Sequence, residues 1–440
     1  MPIQIPSADV QLTKLISFRQ AAYECLGGAR DAQFELTDAV LVTPAVNSFA
    51  ELALSPVFRR GWPSVYEAIE DGRPKRGDLA RLYVSHIPAT SRPVLAGDHT
   101  AWPRLTANTL PDRTIEHQPT KVPGNRPITL GQGFSTLAWI PETQGSWALP
   151  VLHERIASHE SVIDKGISQL RQVCALLPCR PVSLWDAEYG CAHFVNGSAD
   201  IPADKILRLR PNLCLWGTPP PYSGRGRPAV HGARFKLKDP TSWGVPQVSL
   251  LMDDPSLGQV SISLWPNLHF RHSAYHPMWV VCIQRLEARG TRRAPQVLWL
   301  AWVGEKPPPL AEWWRCYLRR FAVDHWYRFA KQRLRWTLPH FGTPVQAERW
   351  SDLMPFITWE LWLARQLVAD HPLPWQKPQT DLTPGRVCSG MAGILAAIGT
   401  PAQPPKPRGK SPGWHKGRIR QRKLRCSVVK KSRQRVKKAG

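Results

Sequence analysis

No uninterrupted apolar run in this 440-residue chain reaches the length a membrane span needs, and no basic, apolar and cleavable N-terminus opens it. Those absences set aside a membrane or secreted protein and leave a cytoplasmic one as the expectation. The nine cysteines contain no Cys-x-x-Cys pair. Cys174 and Cys179 lie close together, but no second pair of ligands accompanies them, so neither a zinc site nor a disulfide scaffold is indicated. Reduced, mostly buried thiols are the default. No internal repeat is present. Acids are scarce: 33 Asp and Glu stand against 58 Lys and Arg, a net charge of +25. Such a balance favours polyanions, nucleic acid ahead of an anionic membrane surface. Hydrophobic residues make up 42%, enough for a sizeable core.

The pattern changes along the chain. Residues 1–90 are a helical module in which acids and bases nearly balance. Phe18-Arg-Gln-Ala-Ala-Tyr-Glu-Cys-Leu, Ala32-Gln-Phe-Glu-Leu-Thr-Asp-Ala-Val-Leu and Ser64-Val-Tyr-Glu-Ala-Ile-Glu carry apolar residues at three- and four-residue intervals. DNA-end binding and a packing or dimerisation role both suit it. Residues 91–199 show strands at Pro93–Asp98, Phe134–Ile140, Ser146–Leu152 and Pro181–Asp186, with a helix from Glu160 to Val173. This order suggests a mixed α/β sheet. Residues 200–310 are rich in strands, among them Ile206–Arg210, Gln247–Met252, Gln259–Trp265, Met278–Ile283 and Gln296–Val303. Helices return over 311–372. Residues 373–440 are a Pro-rich linker, a short helix from Val387 to Ile398, and a tail from Thr400 that has many Lys and Arg and no acid. In isolation that tail should be disordered. Most of the twenty tryptophans are expected in packing, with a few able to stack on bases.

The stretch Tyr317-Leu-Arg-Arg-Phe-Ala-Val-Asp-His-Trp-Tyr-Arg-Phe-Ala-Lys331 reads as one helix. At ~100° per residue, Tyr317, Arg320, Asp324, Arg328 and Lys331 share a stripe under about a quarter-turn wide. Leu318, Ala322, Trp326 and Phe329 lie opposite. One acid among cations suits a metal-dependent site for phosphodiesters. The same spacing also suits solvated i, i+4 ion pairs worth a few tenths of a kcal/mol.

Two further acids shift that balance. Asp98 ends the strand Val-Leu-Ala-Gly-Asp, and Asp186 ends Val-Ser-Leu-Trp-Asp. A single strand-end Asp is ordinarily a cap or turn residue. Three hard oxygen donors from separate elements can hold two Mg²⁺ ions. Such a pair can activate an attacking hydroxyl and stabilise the leaving oxygen of an in-line displacement.

Tyr317-x₂-Arg320-x₃-Asp324-x₆-Lys331 resembles the Tyr-Arg-Glu-Lys signature of the IS4-type DDE transposases. Pro93-Val-Leu-Ala-Gly-Asp-His-Thr resembles the strand carrying that family's first acid, and Leu184-Trp-Asp-Ala-Glu-Tyr-Gly the segment carrying its second. The N-terminal helices and Gly224-Arg-Gly-Arg-Pro-Ala-Val-His-Gly resemble the IS701-like branch. The resemblance implies an RNase H-like core, with Asp98 and Asp186 on adjacent strands and a β-rich insertion before the third acid. It implies that Asp98, Asp186 and Asp324 ligate two Mg²⁺ ions, with Mn²⁺ able to substitute, and that Tyr317, Arg320 and Lys331 hold phosphates. Where the family has Glu, this chain has Asp324, set back by roughly 1.5 Å. Glu360 is a distant substitute. Glu188 is expected in the turn after Asp186. His99 and His325 adjoin proposed acids, but sequence neighbours usually point apart.

Other features point to double-stranded DNA. The tail clusters, with Arg418, Arg420, Arg422, Lys423, Lys430 and Lys431, have the density of a phosphate-binding arm whose grip weakens with salt. Arg225-Gly-Arg227-Pro resembles a minor-groove hook, although a plain turn fits equally. Arg328 completes the cationic helix face. The resulting expectation is a DNA-associated transposase of a bacterial insertion sequence. It would cleave at terminal inverted repeats and transfer strands into target DNA as a homodimer, with no membrane role. The competing readings are a decayed copy that only binds DNA, and an RNase H-like nuclease without strand transfer.

Overall fold

The computed structural model describes residues 8–89, 92–122, 126–255, 258–286, 296–305, 307–407, 413, 415–419 and 422–431. Four helices come first: α1 Ala8–Cys25, α2 Arg30–Val42, α3 Pro63–Asp71 and α4 Arg76–Ser85. Strands β1 Val94–Pro103, β2 Thr114–Val122, β3 Arg126–Trp139 and β4 Leu149–Ile156 follow. Then come α5 Val162–Cys174, β5 Val182–Trp185, α6 Ala192–Gly197 and β6 Asp204–Leu209. A small ribbon, β7 Cys214–Trp216 and β8 Arg234–Lys236, precedes β9 Val248–Asp254, β10 Gly258–Leu268, β11 Met278–Arg285 and β12 Val297–Val303. The chain closes with α7 Leu310–Leu318, α8 Phe321–Gln332, α9 Pro344–Ala364 and α10 Pro384–Ile398.

One large mixed sheet organises these elements, in the order β2-β3-β1-β5-β6-β12-β11-β10-β9, with β4 also paired to β3. β1, β5 and β6 run parallel; β3 is antiparallel to β1 and β4 to β3. The central strand β5, Val-Ser-Leu-Trp, is buried along its whole length, as a strand covered on both faces must be, and its one polar side chain, Ser183, donates to the Asp204 carbonyl. Alternation along the strands separates the two covers. On one face, Ser135 Oγ donates to Gln169 of α5 at 2.7 Å. On the other, Thr136 meets Tyr327 of α8 at 2.8 Å. Behind α8 lies α9, where the Trp326 indole donates to Thr358 at 2.9 Å.

The strand-rich block expected over 200–310 belongs to this same sheet. β6 is one of its parallel strands, and β12, β11, β10 and β9 extend it as an antiparallel meander. The N-terminal helices do not stand apart either. α1 and α4 pack on α9, and α2 packs on α10. A buried ion cluster locks them there: Arg19 holds Asp38 at 2.9 Å and also Glu360.

The expected single helix from Tyr317 to Lys331 is two. α7 ends at Leu318, and α8 starts at Phe321 with Arg320 as its N-cap. At the break Arg319 donates to the Ile140 carbonyl at 2.7 Å, while Arg320 turns inward. Tyr317 is therefore buried on α7, and the core stripe of α8 is Ala322, Val323, Trp326, Tyr327 and Ala330.

Part of the basic tail is docked rather than free. Cys426 N donates to the Asn108 carbonyl at 2.8 Å and Val429 N to that of Arg113 at 2.7 Å. Lys431 pairs with Glu116 at 3.0 Å. Isolation was the wrong reference state, since backbone groups beside β2 offer the tail partners. Among the described residues no helix is long and apolar enough to cross a membrane.

Candidate active site

Register brings the first two acids together. Gly97 of β1 pairs with Trp185 of β5, so Asp98, which lies within β1 rather than at its expected end, and Asp186, just past the end of β5, come next on the two parallel chains. Any Cβ on Gly97 would strike the Trp185 ring. The glycine before one acid is thus the seat for the indole before the other. Asp98 is buried and Asp186 half-buried. Asp186 is further held by the Glu188 backbone N–H, which donates to its Oδ1 at 3.0 Å.

Arg320 reaches Asp98 from the start of α8. Its Nη1 lies 2.6 Å from Asp98 Oδ2, and its Nη2 lies 3.6 Å from Asp324 Oδ2. Burial opposes the charge on Arg320, but Asp98 and its neighbours outweigh that and hold the guanidinium proton above its ordinary range. Burial, then the charge of Asp98, pushes the Asp186 carboxyl above the usual carboxylate range, with Arg320 acting against them. The Tyr189 hydroxyl is fully buried without a hydrogen-bond partner among the described residues, and burial plus both acids raise it far above the phenol range. Tyr327 fixes the floor. Its hydroxyl lies 2.9 Å from the Asp98 carbonyl and 2.8 Å from Thr136 Oγ1.

The remaining expected residues divide into two groups. Tyr317 sits beside Arg320, and Lys331 donates to Thr100 at 2.6 Å on the same face as Asp98. Burial lowers the Lys331 ammonium to about 8. Arg328 is exposed further along α8. Arg225 and Arg227 are exposed on the β7–β8 loop, away from the acids in sequence and sheet. There Gly224 and Gly226 take φ of 81° and 77°, and Tyr222 donates to the Gly226 carbonyl at 2.9 Å, so the segment is a turn and not an extended hook. Arg418, Arg422, Lys423 and Lys430 are exposed along the tail, Lys431 is engaged by Glu116, and Arg420 lies outside the described residues. Glu360 is excluded as a substitute acid because it is fully buried against Arg19.

Sequence reasoning missed the His99–Glu188 pair. His99 Nε2 stands 3.7 Å from Glu188 Oε2, and its Nδ1 is 4.0 Å from Asp98 Oδ1. The twist of β1 and the turn after Asp186 bring both side chains to the rim of the acids. The sequence signal was present in Asp186-Ala-Glu-Tyr-Gly, where the turn supplies Glu188 and Tyr189 together.

The donor set suits a hard divalent cation in part. Two carboxylates and an orphaned hydroxyl converge where one guanidinium is the near counter-charge. Among the described residues, however, no group of three or more His, Cys, Asp or Glu side chains is close enough to share a metal. Asp324 stands on the far side of Arg320, about half exposed.

A mixed α/β sheet with paired acids at adjacent parallel strands is a nuclease-like arrangement. A family model described as DDE superfamily endonuclease matches residues 22–262, more than half of the chain. The protein belongs to that family, and its function is of the transposase or nuclease type with DNA as substrate. The match includes Asp98 and Asp186 and stops before α8, so Asp324 and the cations of that helix lie beyond it. No curated protein matches the chain.

Proposed function

We propose that this protein is a DDE transposase of a bacterial insertion sequence, of the IS4 type and its IS701-like branch. It cleaves DNA at terminal inverted repeats and joins the freed 3′-hydroxyl to target DNA. The observation that carries the reading is the Gly97–Trp185 register, which sets Asp98 and Asp186 side by side within reach of Arg320. An RNase H-like core is supported by the order β4-β3-β1-β5-β6, antiparallel in its first half and parallel in its second.

Asp98 and Asp186 would hold Mg²⁺ or Mn²⁺, with Asp324 as the third carboxylate. When bound, such ions supply Lewis acidity to the attacking and leaving oxygens of the phosphodiester. The chain's own residues do the positioning. Arg320 offers two forked donors and neutralises the acid cluster, Lys331 presents a point charge beside Thr100, and exposed Arg328 extends the cationic face to the neighbouring phosphate. Tyr327 holds β1 against α8, so that Asp98 keeps its place as DNA enters. Synapsis of two ends calls for a homodimer. DNA-associated cytoplasmic work follows.

The test is nicking of a labelled duplex carrying the DNA that flanks the gene. Wild type nicks with Mg²⁺ and stops with chelator, whereas Asp98→Asn and Asp186→Asn shift the duplex without cutting it. Cutting that survives both substitutions would overturn the assignment. One observation favours a second reading, a decayed copy that only binds DNA: Asp324 is short by a methylene and separated from the other acids by Arg320. Wild type that never nicks, with Asp324→Glu restoring cleavage, selects that reading.

A further inference from the structure

Beyond the acids, β8 carries an unassigned pattern. Arg234-Phe-Lys-Leu-Lys238 alternates strictly: Phe235 and Leu237 are buried, and Arg234, Lys236 and Lys238 are exposed. Within β8, period-two alternation puts Arg234 and Lys236 on one face, about 6.6 Å apart, and Lys238 follows in the turn that the Asp239 N–H closes on the Lys236 carbonyl. That step is comparable to the spacing of successive phosphates along a nucleic-acid strand.

These cations line an open groove of about 610 Å³ together with Pro211–Cys214, Trp216, Asp239 and Arg271. Arg234 lies over the Trp216 ring at 5.1 Å, which stiffens both. The single acid in the groove, Asp239, is spent on its own turn. It accepts from Thr241 Oγ1 at 2.6 Å and reaches Lys236 Nζ at 3.5 Å. Arg234, Lys238 and Arg271 therefore face the groove with no acid paired to them among the described residues of its lining.

Topology places the groove on the rim that holds the acids. β5 and β6 are parallel, so the end of β6 lies on the same side of the sheet as Asp186. The turn after Asp186 touches that end directly: Gly190 packs so closely on the Arg208 carbonyl that no Cβ fits between them. Three residues past Arg208, at Pro211, the chain enters the groove lining. Arg208 in turn is near enough to Tyr317 for its charge to act on that hydroxyl. Arg208 thus stands in sequence and in space between the turn after Asp186 and the segment that enters the groove.

We infer that this groove binds the phosphodiester backbone of the DNA strand that leads into the acid site, with Arg234, Lys236, Lys238 and Arg271 as phosphate contacts. The inference rests on the DNA-cleavage reading, and it adds a site that neither the tail nor α8 supplies.

The experiment measures binding by full-length protein to a 30-base-pair duplex and to one of its single strands, across a salt series. For the triple variant Arg234→Gln/Lys236→Gln/Lys238→Gln, the slope of log affinity against log salt should flatten by about 2.7 for duplex or about 2.1 for single strand, the two values telling which form lies in the groove. At 0.2 M salt the affinity should fall on the order of 100-fold. An unchanged slope overturns the proposal. A second readout needs no substitution: exposed Cys214 lines the groove. Bound duplex should slow its alkylation several-fold, read by mass spectrometry of its peptide, and an unchanged rate overturns the proposal as well. The two readings fail separately. An enzyme that nicks but keeps its slope loses only the groove, and one that never nicks but shows the flattened slope loses only cleavage.

Discussion

Two buried arginines in this molecule each hold two acids, and they do so in opposite ways. Arg19 and its partners Asp38 and Glu360 are sealed, with side-chain exposures of 2%, 4% and 0%. Arg320 is nearly as buried, at 7%, but its partners open outward, from Asp98 at 12% to Asp324 at 50%. Burial in the sealed cluster raises the Glu360 carboxyl to about 7, against the pull of Arg19. In the open cluster the burden falls on Asp186 and Tyr189, whose proton affinities rise beside an unsealed rim. The same chemistry is a fastener where solvent is shut out and a receptor where one edge is left open.

The largest test of that contrast is functional. Asp98→Asn or Asp186→Asn should lower the nicking rate by more than about 10³-fold, a loss of several kcal/mol at the transition state. The melting curve should barely move for Asp186→Asn, which removes a like-charge repulsion, and should fall for Asp98→Asn, which takes the nearest acid from buried Arg320. The converse belongs to the fastener. Arg19→Met leaves Asp38 and Glu360 buried without a cation and should cost about 3–5 kcal/mol of stability. Arg320→Met should cost less, since water can reach its acids, and equal losses in a denaturant titration would erase the distinction. Third, Asp324→Glu extends the exposed arm of the open cluster by one methylene. A change in placement of about 1 Å is worth on the order of 100-fold in rate, so nicking should rise by up to that amount; a fall would show that Asp is the fitted length.

The smallest effect is a pH dependence. Burial sets the Lys331 ammonium at about 8. A lowered cation keeps its charge below that value and loses it above, so its phosphate contact is complete at pH 7 and fades as pH rises through 8. Affinity for DNA should drop several-fold between pH 7 and 9 at 0.1 M salt. Lys331→Arg should flatten the profile, and a wild-type profile that is already flat would remove Lys331 from the contact.

Much of this architecture was legible in the chain itself. β5 announces itself as a short run that stops at an acid, and the meander from β9 to β12 shows clear strand composition between turns; β1 was legible only in its first half, because pairing with β3 carries it past Asp98 to Pro103. β2 did not, because Thr114-Ile-Glu-His-Gln-Pro carries polar residues and a proline, and its pairing to β3 is supplied by a neighbour rather than by propensity. The break between α7 and α8 was hidden for a different reason. Helical spacing continues unbroken across Arg319 and Arg320, and only the pull of Ile140 and Asp98 interrupts it. The alternation in β8 was readable but short, three residues in a loop-rich region. The sealed cluster was illegible, since no local pattern tells Arg19 that its partner is Glu360. Among the described tryptophans, only Trp62 and Trp375 are largely exposed, so the expectation of packing was right for most of the rest.

The bond between Arg19 and Glu360 spans 341 residues. A ribosome adding about 5 to 20 residues per second needs roughly 20 to 70 s to cover that interval. For all of that time α1 and α2 are made but lack the helix that closes over them, with apolar faces of Phe18, Phe34 and Leu36 open to any passing binder. The first helices of this protein are therefore finished last, and a nascent chain halted before α9 is a client for chaperones rather than a small folded domain.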